Sequence, residues 1–404
     1  MKTNVLLICI LICHVFAACS TKNNSSNVFT IELNPDYEKN SFVFEDVFKT
    51  VKSIPLETNS NSIIGGVSKL IESNRSLFIM DDKNNKIVRF DLQGKYLNSI
   101  GTSGHGPGEF LKVKDFSIDD TNQQVSVYDV RGRKIIIYNF EGSFIYEFSI
   151  DFFLNSIAID DSGNYYGFTG SISNRSHADS EVLNKLKFIK FDNNGNVIKN
   201  ITAHNNPEIG LNMYEHISCQ SDGTISFSEP LQNAIFKLND DIVEPHYIID
   251  FKNYFVPDNI KEQLNLRADL QPQANRDFFQ EANKNHILGL LMFHENEDWI
   301  VIQYMINYKS QFAFFHKKSE KLFESSSLPA SLKTKSTFFT PKHIDNNYIY
   351  SAQTTFYLHE RYNQDKNDKK TSEARIKDWE SFIQKVNIDD NPVIFRYEFA
   401  KDIY

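Results

Sequence analysis

The chain has 404 residues, a formal net charge of −9, 34 Phe, 18 Tyr and four Cys. The acidity argues against a nucleic-acid partner, which needs a basic face, and the densest Lys run, Lys366 to Lys370, is interrupted by Asn367 and Asp368. The length is large for one compact domain, although repeat and barrel folds run long as single units; the aromatic load suits sheets packed face to face.

The chain begins with a basic residue, Lys2, and an apolar run from Val5 to Phe16 broken by Cys9, Cys13 and His14. Ala17-Ala18-Cys19 follows. This is the shape of a secretory signal over residues 1–18, too short and wrongly flanked for a transmembrane helix. The cysteine after two small residues resembles a bacterial lipobox, which implies cleavage before Cys19 and acylation of its sulfur. Phe16 departs from the Leu usual in that motif; an ordinary signal cut nearby is the alternative. No other stretch reaches the roughly 18 apolar residues of a span, so anchoring rests on lipid at Cys19. Residues 19–44 read as a tether and N-terminal extension, polar from Ser20 to Asn27. With residues 1–18 removed, Cys19 and Cys219 remain, so no disulfide framework holds the fold.

From about residue 45 the chain repeats. Val67 to Ile71 alternates, Leu77 to Met80 is a buried run, Asp81 to Asn85 is a turn cluster, Ile87 to Asp91 is a third strand, and Tyr96 to Ile100 a fourth. The second unit repeats the plan with Asp115 to Ile118, Gln124 to Tyr128, Lys134 to Phe140 and Phe144 to Phe148. Aligned on the third strand, the recurring aromatics are Phe90, Tyr138, Phe191, Phe236, Phe314 and Tyr397, spaced 48, 53, 45, 78 and 83 apart. Such a period marks a β-propeller. The last two spacings carry about 30 residues more than a blade of this kind needs, and helical patterns lie at about 256–286 and 358–388. The final strand, Val393 to Tyr397, leaves too little chain for an outer strand, while Val51 to Leu56 stands spare upstream. The expected fold is therefore all-β: a six-bladed β-propeller of four-stranded antiparallel blades over residues 45–404, closed by an N-terminal strand, with two helical insertions in the last two blades. A bare edge on the last blade would invite aggregation, which is the reason to expect the closure.

Gly101-Thr102-Ser103-Gly104-His105-Gly106-Pro107-Gly108-Glu109-Phe110, following Phe90-Asp91-Leu92-Gln93-Gly94, resembles the NHL-type propeller signature. Ile54-Pro55-Leu56-Glu57 and Asn391-Pro392-Val393 fit the same resemblance. Over residues 45 to 400 the chain resembles the six-bladed propeller lipoproteins of Bacteroides-type bacteria. That resemblance implies an exported, lipid-anchored protein of the cell envelope; it carries over no catalytic motif. Members of that family destined for the outer surface often carry acidic residues just after the lipidated cysteine; Ser20 to Asn24 has none, so the resemblance implies the periplasmic side of the outer membrane, with surface exposure left open.

The candidate chemistry is sparse. The glycine-rich decapeptide could cradle an anion, but a strand pattern follows it where a helix N-terminus is needed; carrying the chain between blades is the better reading. Asp81 and Asp129 are expected to accept bonds from turn amides. His105, Arg131, Arg133, Tyr214, His216 and Glu229 fall on loops or strand ends and are the candidate ligand contacts. Asp119, Asp160 and Asp222 follow inner strands, near turns and away from the channel centre. There is no Gly-x-Ser-x-Gly elbow, and His294-Glu295 lacks the second histidine of a zinc motif. Cys219 reads as a buried thiol, Trp299 as core, and Trp379 as the residue that docks an insertion. No cofactor and no metal ligand set is identified. The reading is a membrane-anchored binding module for a protein, glycan or peptide partner. The alternatives are a metal-dependent hydrolase or lyase acting in the channel and a structural subunit of an envelope complex.

Overall fold

The computed structural model describes residues 28–35, 43–160, 162–169, 188–201, 217–219, 224–229, 231–239, 242–267, 272–326, 341–369 and 371–401. They form six antiparallel sheets arranged as a ring. Blade 1 is Lys69–Ser73, Ser76–Asp81, Lys86–Asp91 and Tyr96–Ile100. Blade 2 is Val113–Asp119, Gln124–Asp129, Lys134–Asn139 and Phe144–Ser149. Blade 3 is Ser156–Ile159, Tyr165–Phe168, Phe188–Phe191 and Val197–Asn200. Blade 4 is Ile217–Cys219, Ile225–Ser228, Ala234–Asn239 and Ile242–Asp250. Blade 5 is Leu290–Glu295, Trp299–Ile306, Lys309–His316 and Lys321–Ser325. Blade 6 takes Pro341–Ile344, Tyr348–Gln353 and Val393–Phe399 from the C-terminal region and its outer strand, Phe48–Pro55, from the N-terminal region. The expected closure is present: Ile54 lies opposite Ile394 and Ser53 opposite Phe395.

All six aligned aromatics lie on third strands. In blades 1 to 4 the aromatic also marks a bulge against the fourth strand, at Phe90, Tyr138, Phe191 and Phe236. An extra residue there bends the strand and increases its twist. A tight turn follows. The Asp91 carboxylate accepts from the Gln93 and Lys95 amides, and Asp192 accepts from Asn194 and Asn196. Asn139 accepts likewise from Ser143. Each turn has a left-handed glycine: Gly94 at φ 86°, Gly142 at 83° and Gly195 at 82°.

These glycines do more than turn the chain. A Cβ on Gly142 would overlap the Ser99 carbonyl oxygen of blade 1, and one on Gly195 the Ser149 oxygen of blade 2. On Gly94 it would overlap the Pro55 oxygen. Backbone thus meets backbone at every joint from blade 6 to blade 3, and the N-terminal strand takes the place any other fourth strand holds. The repeat keeps its glycine for that close approach as well as for its positive φ.

The core is divided into radial wedges, one per joint. Phe78, Met80 and Phe110 pack on Phe116, Val125 and Tyr138 between blades 1 and 2. The placement of Phe110 answers the expectation that the glycine-rich connection ends on an inter-blade anchor. Tyr128, Ile137 and Phe152 meet Tyr165 and Phe191 between blades 2 and 3, and Tyr166 and Phe188 meet Phe227 and Phe236 between blades 3 and 4. Ile235 and Ile249 meet Phe293 and Ile302. Trp299 and Phe314 meet Phe48 and Tyr397. Ile54 and Tyr350 meet Leu77 and Phe90. Each buried Phe or Tyr here is worth about 1.5–3 kcal/mol of apolar transfer, which is how the fold holds together from burial.

Two helical hairpins interrupt the meander. Helices α1 (Asp258–Arg267) and α2 (Pro272–Asn285) lie in the connection from blade 4 to blade 5. Helices α3 (Thr355–Asn367) and α4 (Glu373–Ile383) lie between the second and third strands of blade 6. Thr354 and Ser372 cap α3 and α4 by accepting from the Tyr357 and Arg375 amides. Buried Asp365 joins the pair: it accepts from the Arg375 guanidinium at 2.7 Å and from Trp379 Nε1 at 2.8 Å. Trp379 is fully buried against the blade 5–blade 6 wedge and docks the hairpin as expected.

One element was not foreseen. Phe29–Glu32 adds to blade 4 as a fifth strand, parallel to Ile242–Asp250. A four-residue strand whose partner lies more than two hundred positions away leaves no local sequence signal.

Candidate functional site

The first strands surround the axis, and those of blades 6, 1, 2, 3, 4 and 5 touch in that succession. They enclose a channel of about 1170 Å³ lined from all six blades, with Ile217 the described contribution of blade 4. In a meander, alternate connections fall at opposite ends. The turns from strand one to two and from three to four lie at one end, called here the hairpin end. The turns from two to three and the connections between blades lie at the other, the insert end, and both helical hairpins fall there.

Within the channel, Lys69 of blade 1 donates to Asp115 Oδ1 of blade 2 at 2.7 Å and to the Phe116 carbonyl at 2.9 Å. The other Asp115 oxygen accepts the Ile157 amide of blade 3 at 2.7 Å. Three blades are therefore tied through one buried carboxylate. Burial pushes the Asp115 carboxyl up from its ordinary range, and Lys69 opposes that. Such a pair, once formed, is costly to break from one side.

The hairpin end is acidic. Glu72 of blade 1 faces Asp345 of blade 6 and Asp120 of blade 2, with Arg396 nearby. Burial first, and then the two carboxylates, push its carboxyl up to about 7 against the pull of Arg396. Asp120 is itself bonded to Ser73 of blade 1. The other acids at this end serve their own turns. Asp119 accepts from Asn122, Asp160 from Ser162 and Asn164, and Asp345 from Asn347 and Tyr348. Asp119 and Asp160 thus serve turns as expected, but both also line the channel, from which the sequence reading had set them apart; Asp222 lies outside the described residues. Asn296 fills the equivalent place in blade 5, accepting from Asp298 and Trp299. Among the described residues no three His, Cys, Asp or Glu side chains converge in a way that could hold a metal ion.

Glu295 is the second buried carboxylate of the channel wall. It accepts from Lys317 Nζ at 3.1 Å, meets His246 Nε2 at 3.3 Å, and takes bonds from Ser226 and Tyr247 of blade 4. Burial would raise its carboxyl; the bonds from His246 and Lys317 overcome that and hold it below its usual range. His294-Glu295 thus belongs to a joint between blades 4 and 5.

The candidate contacts from the sequence distribute unevenly. His105 is exposed in the connection between blades 1 and 2, and Arg131 and Arg133 are exposed in the second turn of blade 2. All three lie at the insert end. Arg133 covers the Phe153 ring at 4.9 Å. Glu229 is buried just past the second strand of blade 4. The channel wall contains none of these four. Tyr214, His216 and Cys19 lie outside the described residues; Cys219 lies on the inner strand of blade 4.

The turn aspartates behave as expected. Asp81 accepts from the Gly65, Lys83 and Asn84 amides, and Asp129 from Leu111, Lys112, Arg131 and Gly132. Carboxylates satisfy two amides of the glycine-rich connection: Gly106 donates to Glu109 of the connection itself and Gly108 to Glu147 on the fourth strand of blade 2. Carboxylates of the chain thus occupy the place a phosphate would take. Sequence reasoning missed Lys69, Glu72 and Asp115, whose meeting depends on pairing between blades.

The fold and channel define an all-β, six-bladed propeller with a polar axial cavity. Residues 28–398 match the model of a domain of unknown function, DUF4934, and the chain belongs to that family. A candidate exported protein of Bacteroides fragilis has the same fold, with 16% identity, 93% of this chain and 100% of that chain covered, and a TM-score of 0.75. A member of the DUF4221 family from Bacteroides vulgatus covers 88% of this chain and 97% of its own at 11% identity and a TM-score of 0.49. Virginiamycin B lyase from Staphylococcus aureus covers 75% of this chain and 81% of its own at 13% identity and a TM-score of 0.39. No curated protein matches the chain. Among the described residues no helix is long and apolar enough to cross a membrane.

Proposed function

We propose that this protein is an exported, lipid-anchored propeller that holds a protein, glycan or peptide partner at one face of its ring. The observation that carries the reading is the channel itself. It is large enough for a ligand or a protruding segment of a partner, and its walls combine amides, carboxylates, one lysine-aspartate pair and Tyr348. Concave sites with a few placed polar groups are where binding proteins take their ligands. Cleavage before Cys19 and acylation of its sulfur would place the ring in the cell envelope, on the periplasmic side of the outer membrane. The lipobox-like Ala17-Ala18-Cys19 after the apolar run supports the lipid anchor.

The test is purification from native envelopes followed by intact and native mass spectrometry. The expected result is an acyl mass on Cys19 and a stoichiometric companion that is lost from Ser156→Trp, a substitution that fills the channel from blade 3. An acylated monomer alone, or a companion kept equally by the filled variant, would overturn the assignment of the channel as the site.

A further inference from the structure

The blade edges give a second surface, separate from the channel. Among the described residues, blade 2 ends in a bare outer strand, Phe144–Ser149. Phe144, Ile145 and Tyr146 are all exposed. Open edges are templates for strand pairing, and proteins blunt them with lysine, proline or a covering segment. Phe144–Ser149 has neither residue. Its single charge, Glu147, is neutralised by Lys134 at 2.8 Å.

The same chain shows what such an edge accepts. Opposite the residue just before the third-strand aromatic, the outer strands carry Asn98 in blade 1, Tyr146 in blade 2, Lys199 in blade 3 and Tyr247 in blade 4. Blades 1 and 3 hold polar gatekeepers there; blades 2 and 4 hold tyrosine. In blade 4 the tyrosine is covered by the added N-terminal strand. Phe29 lies opposite Tyr247, their rings 6.4 Å apart and edge to face, and Ile31 lies opposite Ile249. Tyr247 is 8% exposed beneath that strand, and its counterpart Tyr146 is 39% exposed. Phe148 corresponds to Ile249 and continues the apolar row towards Tyr165 of blade 3.

We infer that the outer edge of blade 2 docks an extended segment of a partner protein, with apolar side chains at alternate positions, as a fifth strand. The segment lies parallel to Phe144–Ser149, with an aromatic residue over Tyr146 and an aliphatic one two positions on over Phe148. Main-chain bonds supply the attachment and the two side chains the selectivity, which is the usual division of labour in strand addition.

The experiment uses the full chain and a labelled peptide with the sequence of residues 28–35, the segment that blade 4 already binds. Saturable binding is expected, with slowed amide exchange confined to residues 144–149. Tyr146→Lys and Tyr146→Asn, which copy blades 3 and 1, weaken it at least tenfold; Leu97→Lys on the exposed edge of blade 1 leaves it unchanged. No saturation up to millimolar peptide, equal binding by both Tyr146 variants, or protection appearing at 242–250 through exchange with the native strand would overturn the inference.

Discussion

Blades 1 to 3 and blades 5 and 6 are built by different means within one ring. The first three share an aromatic-bulge-glycine repeat, and each glycine presses on a carbonyl of the blade before it. Blades 5 and 6 keep the third-strand aromatic without a bulge at it: blade 5 pairs its third and fourth strands in continuous register, and in blade 6 the irregularity lies past Tyr397, where Phe48 and Thr50 face Phe399 and Glu398. They rely instead on a larger aromatic wedge, on helices α3 and α4, and on chain borrowed from the N-terminal region. Blade 4 is intermediate, with the bulge at Phe236 and an added strand at its edge. The lesson is that a joint between blades needs close approach or bulk, and this chain uses one on each side.

The sharpest break should come on the bulky side. Phe48 of the closing strand packs against Phe314, Tyr397 and Phe399 with ring centres 5.3–5.8 Å apart. Phe48→Ala removes a fully buried ring from a site braced on both sides, at a cost of about 3–5 kcal/mol. Denaturant midpoints measure it. Because Phe48 sits on the strand that joins the two ends of the ring, amide exchange should quicken in residues 393–399 before it does in blades 2 and 3. Uniform quickening would mean the ring opens as a whole and the two sides are not separable.

On the repeat side the comparison rests on two glycines. Gly142 and Gly163 both have left-handed backbones, at φ 83° and 80°. A Cβ on Gly163 meets nothing within 4 Å, while on Gly142 it would overlap the Ser99 carbonyl. Gly163→Ala therefore reports backbone strain alone, about 1–2 kcal/mol. Gly142→Ala should cost more by the whole of the close approach. Equal losses in thermal or urea unfolding would show that the turn, and not contact between blades, accounts for the glycine.

Much of this division was legible in the sequence. Phe90, Tyr138 and Phe191 announce themselves because each sits in a local run of strand, turn residue and glycine. Phe314 and Tyr397 were recoverable only by aligning on them, since insertions had displaced the spacing. The closure was readable because a missing outer strand at one end matched a spare strand at the other. Local chemistry also placed Asp81 and Asp129, whose partners are their own turn amides and those of the connection just before each blade. What could not be read depends on pairing across the ring. Lys69 and Asp115 lie 46 positions apart, Glu72 and Asp345 far more, and nothing near any of them marks a meeting. The short parallel strand at Phe29–Glu32 was hidden for the same reason.

The seam between blades 6, 1 and 2 supplies the last and smallest test. Glu72 is held up to about 7 from 4.5, chiefly by burial and then by Asp345 and Asp120. The folded state therefore holds its proton at pH values where the unfolded chain has lost it. The associated stability is fully present below about pH 4.5 and is lost as pH rises through about 7. Partial exposure screens the effect, so the slope should be shallow. Urea midpoints measured between pH 4.5 and 7.5 should fall across that window in the wild type. Glu72→Gln, which keeps the shape without the charge, should flatten the slope and match or exceed the wild-type midpoint at the upper end. An unchanged slope would assign the titration to another group and leave the acidic mouth without a part in holding the seam.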